Sequence, residues 1–245
     1  MKKALKLLLI TFLICIPVFA NINKIDSSYS SQMQKAQSSS EMDNYTLNSS
    51  NSLKSEIKEI SLLLNKNLSP EQKEILAKNT EAWNKYTNNL HNSTIKILHQ
   101  QKGTIYQNFA TASVYAQHYT RALTLYYLTK KSQYEQHDYL SKDLKTCLET
   151  ATSNIMTCEC YHKETEKYKS KISKELALAK TNLSNEEFND VMLAQSSWEE
   201  YLNHTQISLF KIFDRQKSPD KDLKKAEIIF RLYQNRFSEI ANINF

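Results

Sequence analysis

The chain has 245 residues, 40% of them hydrophobic and 24% charged, enough to bury a sizeable core in one large domain or two small ones. One glycine and three prolines exclude folds built on hairpins, and with them glycine-rich phosphate loops, since both rely on positive φ. The composition predicts an all-α protein, and a net charge of only +6, scattered along the chain, argues against a nucleic-acid partner.

Residues 1–20 read as a secretion signal. Lys2, Lys3 and Lys6 form a basic start, Leu7 to Val18 an apolar run, and Val18-Phe19-Ala20 a cleavage site after Ala20. The apolar run is shorter than the ~20 residues of a membrane span, and no later stretch is apolar enough to be one. Export is therefore expected, to the periplasm or beyond it. Without those three lysines the 32 basic residues become 29 against 26 acidic ones, a net of +3. Residues 21–50 are rich in Ser, Asn and Gln and are expected to form a polar, partly disordered leader, with Met33 and Met42 marking where a helix begins.

Two phrases then align without a gap at an offset of 115 residues. NLSPEQKEILAKNTEAWNKY (67–86) meets NLSNEEFNDVMLAQSSWEEY (182–201), which pairs Trp83 with Trp198 and Tyr86 with Tyr201. The same offset places Ile57 on Ile172 and Arg121 on Arg236. Two copies of one module are expected, over 51–140 and 141–245.

Each module reads as three antiparallel helices. Leu53, Ile57, Ile60 and Leu64 mark the first. Ser69 caps the second, with Pro70 at its first position and Gln72 completing a capping box, and Ser184 with Glu187 repeats the arrangement. Leu76, Trp83, Leu90 and Ile97 recur every seven residues, matched by Val191, Trp198, Thr205 and Ile212, so Trp83, Tyr86, Trp198 and Tyr201 are expected in the core. Gly103 closes that helix in the first copy, and Lys217-Ser218-Pro219 in the second. The third helix of the first copy is expected to run on through Tyr134 and Tyr139 into the next module as a long shared helix, and its tyrosines 115, 119, 126 and 127 exceed what one small core requires.

Cys147, Cys158 and Cys160 follow the signal. In an exported chain the default is a disulfide, joining Cys147 to Cys158 or to Cys160 and leaving one thiol over. The competing reading is a metal site of Cys147, Cys158, Cys160 and His162, whose spacing matches no common zinc pattern. No cofactor is expected. Glu186-Glu187 and Glu199-Glu200 are adjacent on a helix and point apart, so neither pair suits joint acid–base work, and no nucleophile elbow or zinc-protease motif is present.

CLETATSNIMTC, followed by LS…EEF…AQSSWEEY, resembles the LprI-like lysozyme-inhibitor domain family of small secreted helical bacterial modules. Ala194-Gln195, Trp198, Tyr201 and a late Arg236 match that family's phrases. Leu202 replaces a usual arginine, Gln206 a frequent cysteine, and the first copy is a degenerate example with Asn44 near the place of Cys158. The resemblance implies a non-enzymatic envelope protein that binds another protein, a lysozyme in the most concrete version. The alternatives are a structural or host-interaction module using the aromatic third helices, or a Cys/His metal-binding protein.

Overall fold

A computed structural model describes residues 19–129 and 141–244. It is all-α: every element among these residues is helical. The expected signal, apart from its last two residues, and the expected run-on through Tyr134 and Tyr139 lie outside the described residues.

Helix α1 (Phe19–Lys35) and the first third of α2 (Ser39–Asn67) occupy the stretch expected to be a polar leader. That expectation is corrected here. The sequence is polar, but Ile22, Ile25 and Tyr29 fall on one stripe and pack against the core. Tyr29 stacks on Tyr115 at 4.0 Å between ring centroids, and Tyr115 donates a hydrogen bond to Asp26 Oδ1 (2.9 Å). Ser38 caps α2 by accepting from the Glu41 backbone N–H.

Helix α3 (Pro70–Leu90) passes without a break into a π-helical segment (His91–Ile95) and then α4 (Lys96–Gln100). A strict seven-residue repeat drifts about 20° per heptad against a 3.6-residue helix. The wider π turn resets the stripe, so that Leu90 and Ile97 both stay buried. Gly103, at φ +124°, supplies the only positive φ among the described residues and precedes α5 (Thr104–Tyr127).

The second half runs α6 (Lys142–Thr150), α7 (Asn154–Asn182), α8 (Asn185–Asn203), a second π segment (His204–Leu209), α9 (Phe210–Asp214), α10 (Lys221–Ala241) and a 3₁₀ turn (Asn242–Asn244). Helices α2 and α7 each span 29 residues and lie 115 residues apart, as do their caps Ser38 and Ser153. α2 packs on α5 as α7 packs on α10, and α3 crosses α8. Several residues touch their own counterparts 115 positions on. Lys85 pairs with Glu200, Tyr86 stacks on Tyr201 (6.2 Å between centroids), and Asn235 donates to Thr120 Oγ1 (2.9 Å). Self-contacts of this kind characterise an isologous, two-fold interface.

One apolar cluster runs through both halves, from Ile22 and Leu53 to Ile228 and Ile243. A smaller cluster of Leu144, Leu148, Tyr161, Tyr168 and Phe230 lies beneath α6. No helix of the described residues is long and apolar enough to cross a membrane.

Candidate functional site

Ser69 and Ser184 each accept from the third backbone N–H of α3 and α8, while Gln72 and Glu187 accept from the cap backbone N–H in return. The Glu187 carboxyl is held below its ordinary value by the Ser184 hydroxyl and N–H, with Lys96 adding a smaller effect. These bonds fix the entry of α3 and α8 into the centre of the bundle. Tyr86, Trp198 and Tyr201 are buried there, and Trp83 is half-buried. The two indoles are met edge-on by residues at matching positions, Trp83 by His118 and Trp198 by Tyr233.

Around the tyrosines lies a sealed polar network that the periodicity of the sequence does not reveal. Glu239 accepts from Tyr86 Oη (2.7 Å), from Arg236 Nη1 (3.0 Å) and from Gln117 Nε2. Arg236 also donates from Nε to Gln195 Oε1 (2.8 Å). Burial pushes the Glu239 carboxyl above its usual range against the pull of Arg236, and it pushes the Tyr86 phenol up as well. Perturbed groups of this kind often mark reactive sites. Here all five side chains are buried, at 0–5% exposure, so a substrate has no way in and the network holds the halves together. A second group joins Tyr127 Oη to Glu227 Oε2 (2.7 Å) and Glu227 to Arg231 (2.8 Å), with the Arg231 guanidinium over Tyr119. The signal for the first network was the alignment of Arg121 with Arg236. Nothing in the sequence pointed to Glu239 or Gln117.

Tyr115, Tyr119, Tyr126 and Tyr127 are at most 7% exposed. An aromatic contact surface on the third helix is therefore corrected to core: these rings fill the junction of α5 with α1, α2 and α10.

Cys147 on α6 is bonded to Cys160 on α7, with their Cα atoms 5.8 Å apart. A nine-residue helix is too short to hold itself, and α6 buries only Leu144 and Leu148, so the bond staples it to α7. Cys158, two residues from the bridge, is the free thiol and is half-buried; burial first, and then the Asp222 charge, raise its pKa. His162 is exposed. With two of the four candidate metal ligands joined to each other, no group of three or more such side chains converges among the described residues.

One accessible feature among the described residues is a cleft of about 340 Å³ where α8 crosses the first π segment, lined by Asn89, Asn92, Lys96, Asp190 and Leu193. The π turn sets Asn92 and Lys96 on the rim facing α8. Two amides supply both donors and acceptors, Lys96 and Asp190 supply one charge of each sign, and Leu193, 56% exposed, supplies an apolar contact. Such a set can hydrogen-bond polypeptide. The fold and cleft together define a disulfide-stapled helical bundle with a polar cleft. No family model matches the chain, and neither a curated protein nor a solved structure matches it.

Proposed function

We propose that this chain is an exported bacterial envelope protein that binds another protein and catalyses no reaction, inhibition of a lysozyme being its most concrete form. The observation that carries the reading is the Cys147–Cys160 bond in a chain that opens with a basic and then apolar leader, because such bonds persist in oxidising compartments. The resemblance of residues 141–245 to LprI-like modules supplies the partner class. The shared helix bounds 115 residues apart support reading 51–140 as a second, degenerate copy.

The cleft beside Asp190 and Leu193 is the docking surface in this reading. Lysozymes are generally basic, and a net of +3 gives no long-range attraction, so local carboxylates must provide it. Glu187 is committed to its cap, which leaves Glu186 and Asp190 at that end of α8 to face a basic partner. The test is a panel of chicken-, goose- and invertebrate-type lysozymes assayed on cell walls with purified residues 21–245 at micromolar concentration. Slower lysis by at least one class, weakened by Leu193→Asp, is expected. Unchanged lysis by all three overturns the lysozyme version.

A further inference from the structure

The two halves are unequal at their centre, and the inequality identifies a ligand. On one side of the centre Tyr86, Arg236 and Gln117, drawn from both halves, converge on the Glu239 carboxylate. The positions 115 residues away are Tyr201, Arg121, Leu232 and Thr124. The tyrosine and the arginine are present, but threonine stands where the carboxylate should be. Thr124 does not substitute for it, because its hydroxyl donates to the Thr120 carbonyl of its own helix (2.7 Å).

The consequences are visible in the hydrogen bonding. Arg121 is 1% exposed and donates from Nη1 to Asn79 Oδ1 (2.5 Å) and from Nη2 to Thr80 Oγ1 (2.7 Å), both neutral. Among the described residues no carboxylate pairs with it, and its Nε has no partner. Tyr201 Oη, on a side chain 1% exposed, has none either. The faces of Trp83 and Tyr201, 5.4 and 6.0 Å from the guanidinium carbon, offset part of the cost of the buried charge. They leave its N–H unsatisfied, and a buried cation without an anion is strongly disfavoured.

We propose that a monatomic anion, chloride under ordinary conditions, occupies the place beside Thr124 that Glu239 fills in the other half, accepting from Arg121 Nε and Tyr201 Oη. Threonine is shorter than glutamate by the carboxylate end, a difference that a single spherical ion matches in size and that phosphate or a whole carboxylic acid exceeds. Water could accept the same hydrogen bonds but would leave the charge uncompensated. The site is independent of the binding activity proposed above. Its role is to complete the core, and it makes folding respond to halide.

The test is urea unfolding of the purified protein in sodium chloride and in sodium gluconate at equal ionic strength. Chloride is expected to stabilise in a saturable way, lowering the unfolding constant roughly tenfold at ten times its dissociation constant. Gluconate, the more strongly excluded anion, would otherwise be the better stabiliser, so the sign is diagnostic. Thr124→Glu supplies the missing carboxylate in place of the ion and is expected to abolish the chloride dependence. Should that variant fail to fold, chloride-35 line widths of the unaltered protein decide, with broadening in the folded state that bromide reverses as the expected result. Equal stability in the two salts, or a line no broader than in the urea-unfolded chain, overturns the proposal and leaves water as the occupant.

Discussion

His118 and Tyr233 sit 115 residues apart and perform the same task, each presenting an edge to a tryptophan. Only His118 titrates in the range around neutral pH and below; burial raises the Tyr233 phenol above its already high ordinary value. Burial lowers the His118 pKa from 6.5, outweighing the hydrogen bond to the Val114 carbonyl, and Lys54 lowers it further. A histidine whose folded value is depressed binds fewer protons folded than unfolded in that window. Its contribution is therefore intact above the unfolded value of 6.5 and is lost as pH falls through the folded value. The urea midpoint of the protein is expected to decline as pH drops below 6.5, and His118→Phe is expected to flatten that decline. A variant with an unchanged pH profile would assign the loss to other groups. His118 was not legible as a core residue, because nothing local in the sequence distinguishes a histidine facing an indole from one facing water. The same blindness hid Glu239 and Gln117, since helical periodicity counts every polar residue as an outward one. Arg121 and Arg236 were visible only because the repeat aligned them.

Helix starts were more legible than helix paths. Ser-Pro-Glu-Gln and Ser-Asn-Glu-Glu specify a cap within four residues, so local chemistry alone places α3 and α8. Ser69→Ala and Ser184→Ala are each expected to cost about 1 kcal/mol, and to add, because the two boxes share no partner. Urea melts of both single variants and the double variant check this. A double loss well below the sum of the singles would show that the helix ends are coupled. The π segments had no such signature, because they answer a mismatch of period that accumulates along the whole stripe. Helix α1 was missed for a compositional reason: three apolar residues carry its packing face among serines, asparagines and glutamines, and a mean over that window reads as a leader. The disulfide was legible only as a choice. Cys158 and Cys160 are both within sequence reach of Cys147, and the turn of α7 decides which thiol faces α6.

At the scale of the molecule, the repeat describes the sequence better than it describes the core. Each half brings its own caps, tryptophan and arginine, yet the largest apolar cluster and the Tyr86–Glu239–Arg236 network take residues from both. Neither half is complete without the other. Tyr86 from the first half reaches Glu239 from the second, and Asn79 donates to Thr205 across the same junction (3.0 Å). Fusion through one core, rather than two beads on a string, is the structural claim on which both the proposed docking cleft and the proposed anion site depend, since the cleft joins α3, the first π segment and α4 to α8, and the anion site joins α5 to α8. The two tryptophans, one per half, report on it directly. In Trp83→Phe and Trp198→Phe variants the remaining indole follows the unfolding of a single half, and helical circular dichroism follows the whole. The account predicts one urea transition in each variant, with fluorescence and dichroism sharing a midpoint and slope. Fluorescence midpoints that separate from the dichroism, with one half melting while the other stays folded, would contradict it.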